Sequence, residues 1–452
     1  MNPSIQLKKP TLVFFVALAC FGLSPTSQAV SPPPGGGYQG GNTAEGTNAL
    51  LNLTGGTNNT AVGLSALLGD TTGDSNTAVG ANALFSNTTG RQNTADGRGA
   101  LHNNTSGDSN TATSVQALYA NRTGSDNTAN GFQALCNNST GSSNAATGFQ
   151  SLYNNGTGNF NAATGFQALY NNGSGGNNTA TGFQALYSNR VGFTNTANGF
   201  QALYSNTRGG GNIATGEGAL ASNTTGDANT AVGTIALFSN TLGCSNTANG
   251  HNALSWNTTG SFNTVLGVSA GGNIETANNV ICIGAFVAGE DVSDGCYIGN
   301  IFQRPVAADS LPVLVDGFGK LGTASSSARF KKAIKPMDCA SEAILAFKPV
   351  TFRYKSDKTN TPQFGLIAEE VAKVNPDLVV RDKEGKPYTV RYDQVNAMLL
   401  NEFLKEHHQV QDLKAIVAEQ QEQIKALTAG LQKVSAQLEV NKPSPQTVLN
   451  NQ

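Results

Sequence analysis

Alanine and leucine recur at fixed positions from Ala44 to Ala270, and this apolar pattern belongs to a 17-residue repeat. Each unit reads N-T-A-x-G-x-x-A-L-x-x-N-x-x-G-x-x, and its first Asn occurs fourteen times without an insertion, from Asn42 to Asn263. A constant period predicts a solenoid, in which stacked coils cover one another's apolar faces. At about 4.8 Å per coil, fourteen coils would form a rod of roughly 65 Å.

The pattern inside the unit predicts its parts. The N-T-A-x-G segment alternates, which indicates a short strand, and the Ala and Leu positions are the expected core. We expect the first Asn of each unit to form a ladder of amides along the rod, and both glycines to adopt turn conformations closed to other residues. The segment Phe183–Tyr187 is compatible with a second strand or a single helical turn. The Asn-x-Thr and Asn-x-Ser sequences are interpreted as turn residues rather than as glycosylation sites.

The repeat region is expected over residues 42–272, because Gly271 stands where the last unit should have its leucine. Residues 273–324 contain short apolar runs at 280–284 and 297–299 and a hairpin pattern at 313–322. They predict a β connector that caps the solenoid. A disordered Asn/Gly-rich linker is the alternative to a solenoid, although disorder does not explain two fixed apolar positions.

Residues 1–29 have the pattern of a secretory signal peptide. Lys8 and Lys9 precede an apolar stretch at 11–23, and Ala29 ends a small-x-small cleavage sequence. A lipoprotein signal ending at Cys20 and a retained anchor are the alternatives. Residues 30–41 are rich in Pro and Gly and predict a flexible leader. No later segment is apolar enough to span a membrane, so we expect a protein that is secreted or displayed at the cell surface.

Charge divides the chain into two parts. Residues 30–319 carry 14 acidic side chains and 6 arginines, whereas residues 320–452 carry 19 basic and 15 acidic side chains. Neither part has the dense basic patches of a nucleic-acid-binding protein, and the cysteine spacings match no metal site, so no metal or cofactor is expected. Cys282 and Cys296 are compatible with a disulfide or with two packed thiols.

The segment from Ser326 to Ile334 reads S-S-A-R-F-K-K-A-I and resembles the opening signature of the endosialidase-type intramolecular chaperones, S-D-x-R-x-K-x-x-I. Three further family motifs follow in order and extend the resemblance to about residue 419. Phe347–Tyr354 resembles L-x-P-V-x-F-x-Y, Gly365–Val371 resembles G-F-I-A-Q-E-V, and Tyr392–Leu404 resembles the family's C-terminal helix in outline. The chaperone and auto-processing domain is therefore expected over residues 325–419.

The resemblance implies a homotrimer that assembles an N-terminal fibre and then cleaves itself. By register, Ser326 would be the nucleophile and Lys331 the general base of a serine peptidase that acts once on its own chain. Such a lysine must be neutral, which requires burial or neighbouring cations such as Lys332 and Arg329. Ser327 replaces the family's aspartate and puts the rate of cleavage in question. Ser325 and Ser327 are alternative nucleophiles by chemistry, though not by register.

A heptad pattern near the C-terminus predicts a coiled coil over residues 403–440. Gln420 is a polar core position, and residues 441–452 form a polar tail. An amphipathic helix packed on its own domain is the alternative. Together with Gln420, the apolar positions follow one another at spacings of three and four residues: Val410, Leu413, Val417, Ile424, Leu427, Leu431, Val434 and Leu438.

The repeats also resemble the head repeats of trimeric autotransporter adhesins, which implies a trimeric β-roll. The predicted fold is thus a mainly β solenoid, followed by a small α+β chaperone domain and a coiled coil. The predicted function is a trimeric, adhesin-like fibre, with a cell-surface or glycan ligand left unidentified. A non-cleaving fibre is the first alternative. A glycan-degrading spike is the second, and it would need paired carboxylates, which the repeats do not show.

Overall fold

The computed structural model describes residues 38–306, 309–317 and 319–441. The predicted signal peptide, most of the leader, and the tail after Asn441 lie outside the described residues. The chain divides into two units between Pro305 and Val306, and each is described by itself. In the described residues no helix is long and apolar enough to cross a membrane.

The first unit is a β-solenoid, as the constant period predicts. One strand from each coil joins a single parallel sheet of 16 strands in sequence order, and β1 to β15 keep the spacing of the repeat throughout. The strands are β1 (Thr43–Glu45), β2 (Thr60–Val62), β3 (Thr77–Val79), β4 (Thr94–Asp96), β5 (Thr111–Thr113), β6 (Thr128–Asn130), β7 (Ala145–Thr147), β8 (Ala162–Thr164), β9 (Thr179–Thr181), β10 (Thr196–Asn198), β11 (Ile213–Thr215), β12 (Thr230–Val232), β13 (Thr247–Asn249), β14 (Thr264–Leu266), β15 (Ile281–Ile283) and β16 (Cys296–Ile298).

The core of the solenoid consists of the small Ala and Leu side chains that the repeat predicts. In a typical coil, Ala180 in the strand and the later Ala185 and Leu186 are fully buried. The segment that contains Leu186 is neither a strand nor a helix. It is a turn in which Gln184 and Leu186 both adopt the left-handed conformation, with φ of 52° and 53°. This alternation turns the chain sharply enough to bring both apolar side chains inward.

The two glycines of the unit are required for different reasons. Gly182 has φ of +129°, which L side chains rarely adopt, as the sequence predicts. Gly192 has no positive φ; there a Cβ atom would lie 2.2 Å from the Oδ1 atom of Asn189. At the first position a side chain is therefore excluded by backbone conformation and also by lack of space, because a Cβ on Gly182 would lie 2.6 Å from the Gly199 carbonyl oxygen; at the second it is excluded by lack of space.

Buried asparagines form two ladders along the solenoid. In the expected ladder, the Asn93 side chain donates from Nδ2 to Oδ1 of Asn76 at 3.1 Å, and its backbone N–H donates to the same oxygen at 3.0 Å. A second ladder uses the Asn at the twelfth position of the unit, where Asn172 donates to Oδ1 of Asn155 at 2.7 Å. These twelfth-position amides are fully buried from Asn87 to Asn257, so they are structural groups rather than sites for a glycan.

The parallel sheet continues beyond residue 272. Gly271 replaces the core leucine, and Val265 replaces the strand alanine of the same coil; a Cβ atom on Gly271 would lie 3.1 Å from a Val265 methyl carbon. The larger valine therefore fills space that the leucine would have occupied. Strands β15 and β16 continue the sheet after this coil.

Cys282 and Cys296 are both free thiols. In the pairing of β15 with β16, Ile281 lies opposite Cys296 and Cys282 lies opposite Tyr297. Because side chains alternate between the faces of a strand, the buried Cys282 and the exposed Cys296 lie on opposite faces of the sheet. The register therefore keeps the two sulfur atoms apart.

Over its described residues, the second unit contains three antiparallel hairpins, short 3₁₀ segments and two helices. Its small core consists of Val371, Leu378, Val379, Val390, Val395 and Met398. The elements are β17 (Leu314–Val315), β18 (Leu321–Gly322), 3₁₀ turns at Ala328–Phe330 and Asp338–Ala346, β19 (Val350–Phe352), β20 (Gln363–Gly365), α1 (Ala368–Val374), a 3₁₀ turn at Pro376–Leu378, β21 (Val379–Arg381), β22 (Pro387–Val390) and α2 (Tyr392–Val440). The predicted small α+β domain is therefore present, and one long helix covers the region for which a coiled coil is predicted.

Candidate functional site

Ser326 and Lys331 lie on either side of the 3₁₀ turn Ala328–Phe330, and both are exposed. The turn is closed by a hydrogen bond of 3.0 Å from the Lys331 N–H to the Ala328 carbonyl. In the described part of the chain, neither the Ser326 hydroxyl nor the Lys331 amine has a hydrogen-bond partner. A single chain therefore brings the two candidate residues onto one short turn without joining them.

The cations near Lys331 are also exposed in the single chain. The Arg329 guanidinium lies over the Phe330 ring, 4.6 Å from its centroid, and Lys332 follows Lys331 directly. Positive charge close to an amine favours its neutral form, but water screens this effect at an exposed site. The isolated chain therefore provides no burial for the Lys331 amine.

Two of the motifs that follow, Phe347–Tyr354 and Gly365–Val371, are joined to each other and to the start of α2. Strand β19, from the first motif, pairs with β20, whose last residue, Gly365, opens the second motif. The Leu366 N–H donates to the Tyr392 hydroxyl oxygen at 3.0 Å, which ties the second motif to the start of α2. A Cβ atom on Gly365 would lie 2.8 Å from that hydroxyl oxygen and 3.2 Å from the Phe352 ring. Glycine at this position is thus required by the close approach of the other two motifs.

A polar cluster that the sequence analysis missed joins the 3₁₀ segment Asp338–Ala346 to α2. The fully buried Ser341 accepts a hydrogen bond of 2.7 Å from Asn401 and donates to the Glu402 carboxylate. Lys405 pairs with Glu402 at 2.8 Å and with Glu342 at 3.2 Å. No local pattern identifies this cluster, because its contacts join segments that are far apart in the sequence.

Electrostatic interactions in this cluster favour the charged forms of its members. The Lys405 ammonium, followed by the Ser341 hydroxyl, lowers the pKa of Glu402, and the Glu402 carboxylate raises the pKa of Lys405. Lys405 therefore stays protonated and is unsuited to act as a base. The cluster is a structural clamp between the domain and the start of α2.

The apolar heptad positions of α2 lie on the surface of the single chain. Their exposed fractions range from 46% at Val410 to 70% at Leu431. A helix of 49 residues with such a row of exposed apolar side chains has no partner among the described residues over its C-terminal half. The single chain packs only the start of α2 on its own domain, and the heptad positions from Val410 to Leu438 stay exposed.

Comparison with known families identifies the class of the C-terminal domain. Residues 326–380 match the family model described as the chaperone of endosialidase. The match begins at Ser326 and includes Lys331, β19, β20 and α1. No curated protein and no solved structure matches the chain.

Proposed function

We propose that the protein is a secreted or surface-displayed homotrimeric fibre, whose C-terminal domain directs assembly and then cuts the chain at Ser326. The family match over residues 326–380 carries this proposal. The exposed heptad row of α2 supports it, because three copies of this helix would bury those side chains against one another. The solenoid would be the part of the fibre that is delivered.

Exposure of Lys331 suggests how cleavage is timed. The amine must lose its proton before it can accept one from the Ser326 hydroxyl, and a solvated lysine stays protonated near neutral pH. Burial at a contact between chains, with Arg329 and Lys332 nearby, would disfavour the charged form of the amine. The Ser326 oxygen would then attack a neighbouring peptide carbonyl, and the peptide C–N bond would break as Lys331 passes the serine proton to the leaving amine. Water would hydrolyse the resulting ester and restore the Ser326 hydroxyl. Cleavage would therefore wait for assembly.

The test compares the mature chain with its Ser326→Ala variant on a denaturing gel. We expect a C-terminal fragment from the wild type only, with the size of the segment from Ser326 to Gln452. Ser325→Ala and Ser327→Ala are matched controls that keep the nucleophile and should be cut normally. Intact chains in every sample would reject self-cleavage, and equal cutting of wild type and Ser326→Ala would assign the cut to another protease or serine.

A separate variant tests assembly. It combines Ile424→Asp with Leu427→Asp, at two successive core positions of the heptad pattern. Charges at these positions cannot be buried in a coiled-coil core, so the trimer mass measured by sedimentation should be lost. The matched control replaces the neighbouring Gln421 and Gln423, which lie outside the heptad core, with aspartate. Cleavage should also disappear in the Ile424→Asp/Leu427→Asp chain if assembly activates Lys331.

A further inference from the structure

The solenoid carries an exposed row of stacked phenylalanine rings, which we call the aromatic stripe. Adjacent ring centroids lie 5.1–5.3 Å apart, and each residue is 40–46% exposed. The stripe occupies the sixth position of five successive coils: Phe132, Phe149, Phe166, Phe183 and Phe200. A continuous apolar surface of this kind is typical of an interaction site rather than of a free surface.

A row of glutamines borders the stripe and lies at the seventh position of the coils. Each side-chain amide donates to the Gln one coil earlier, at 2.8 Å from Gln133 to Gln116 and 3.1 Å from Gln201 to Gln184. The row covers the coils that begin at Asn110 through Asn195. From the fourth to the eleventh position, those six coils contain no charged residue. The surface around the stripe is therefore uncharged. We call these positions of the six coils the neutral block, which lies in the middle of the rod.

At the sixth position of the coil, opposite charges flank the neutral block, one coil beyond each of its ends. Arg98 occupies the sixth position of the coil before this neutral block, and Glu217 occupies the sixth position of the coil after it. Both side chains are at the surface, and neither has an ion-pair partner among the described residues. The two lie seven coils apart, or about 34 Å along the rod.

We infer that the aromatic stripe binds the same stripe of a second copy of the chain in antiparallel orientation. Antiparallel pairing about the centre between Phe149 and Phe166 aligns the two neutral blocks over their full length. The same register places Arg98 beside Glu217 of the second copy, and Glu217 beside Arg98 of the second copy. A twofold interface of this kind uses one patch twice, so a single surface supplies both halves.

Parallel pairing in register is disfavoured by the two charges that flank the neutral block. It would place Arg98 beside Arg98 and Glu217 beside Glu217, and like charges in contact oppose association. The antiparallel contact goes beyond the trimer proposed above, since it joins solenoids whose C-terminal helices belong to different fibres. It therefore predicts lateral association between separate fibres.

The contact is expected to be weak and reversible. The five exposed phenylalanine surfaces are small beside the roughly 800 Å² that each partner buries in a standard interface. Two exposed ion pairs add little and are screened by salt. Pairing should therefore depend on protein concentration and decrease at high salt.

The test uses the mature full chain with Ser326→Ala throughout, so that every sample has the same length. Sedimentation velocity over a concentration series measures the species at high dilution and the larger species that forms on concentration. We expect Arg98→Glu and Glu217→Arg each to weaken the concentration-dependent step by roughly tenfold, and the double exchange to restore it. Phe149→Ser with Phe166→Ser should abolish that step, whereas the exposed, off-stripe Phe262→Ser should not.

Several outcomes would overturn the antiparallel contact. If both single exchanges and the double exchange behave as the unexchanged chain does, the antiparallel contact is overturned. That result is expected of parallel pairing, in which each exchange only replaces one pair of like charges by another. A chain that shows no concentration-dependent step also overturns it. If phenylalanine replacement lowers the mass at high dilution, the stripe lies inside the trimer and the inference fails. A monomer at high dilution would instead reject the proposed trimer while leaving the charge exchange informative.

Discussion

Asp70 accepts a hydrogen bond of 3.0 Å on Oδ1 from the Nδ2 atom of Asn87 and forms the first member of the second ladder. Every later member of that ladder is an asparagine. Asn87 also donates to the Gly90 carbonyl at 3.0 Å, whereas the corresponding Oδ2 atom of Asp70 is buried without a partner. A protonated carboxyl group would restore the missing donor.

Replacing Asp70 with asparagine should therefore remove a pH dependence of stability. Burial raises the pKa of Asp70 from 3.8 to about 7. The folded chain holds this proton over a range where the unfolded chain has lost it, so its stabilising effect is full below about pH 4 and is lost as pH rises through about 7. The whole loss would reach about 4 kcal/mol, of which roughly 3 kcal/mol falls between pH 5 and pH 8. Thermal unfolding at pH 5 and pH 8 measures it, and Asp70→Asn should unfold at more similar temperatures in the two buffers.

Asp74→Asn is the matched control for Asp70→Asn. Asp74 is solvent-accessible, and the Thr57 backbone N–H lowers its pKa. Its contribution therefore has the opposite sign, present above the unfolded pKa and lost as pH falls. A wild-type chain that gains stability from pH 5 to pH 8, unchanged by Asp70→Asn, would contradict the assignment of a neutral carboxyl group.

Asn155→Ala should destabilise the solenoid by about 2–4 kcal/mol. The Asn155 amide donates to Asn138 at 2.8 Å and to Gly158 at 2.7 Å, and its oxygen accepts from Asn172. Truncation leaves these buried partners unsatisfied. Chemical denaturation provides the measurement, and Asn154→Ala at the adjacent, half-buried position is the control. Equal losses of stability at both positions would show that burial of the ladder amides does not determine how much they stabilise the solenoid.

The exchange of volume between Val265 and Gly271 predicts a double-mutant effect. Gly271→Leu alone should cost about 1–3 kcal/mol, because the new side chain would meet Val265 and Leu254. Val265→Ala alone should leave a cavity and also destabilise the coil. The double variant restores the repeat pattern and should be closer to the wild type than either single variant. Additive losses in thermal unfolding would argue against compensation.

Gly365→Ala should destabilise the chaperone domain, because its methyl group would lie 2.8 Å from the Tyr392 hydroxyl oxygen. Tyr392→Phe removes that oxygen together with the hydrogen bond from Leu366, at a cost of about 1 kcal/mol. Combining the two changes should therefore cost less than the sum of the single effects. Unfolding of the second unit, followed by far-UV circular dichroism, measures each effect. If the two single effects on the free energy of unfolding add up in the double variant, the Tyr392 hydroxyl is not what the new methyl group at residue 365 meets.

The sequence alone determined the solenoid, because a coil of constant length repeats the same environment at each position. The Ala and Leu positions identified the core, and Asn76 and Asn93 belong to the ladder that the repeat predicts. The family motifs also identified residues that meet in space, such as Leu366 and Tyr392. In each case a local pattern or a known motif carries the information.

Only the tertiary structure decided features that depend on contacts between distant residues. The left-handed turn at Leu186 follows from packing against neighbouring coils, since leucine has no local preference for that conformation. Val265 compensates for Gly271 within one coil, and Ser341 meets Glu402 across a long stretch of sequence. Ser326 and Lys331 remain a prediction from register, because their exposed turn in one chain does not form the contact that chemistry would need. Short-range periodicity specifies the rod. The polar cluster around Ser341 and the exchange of volume between Val265 and Gly271 depend instead on how separate segments pack together.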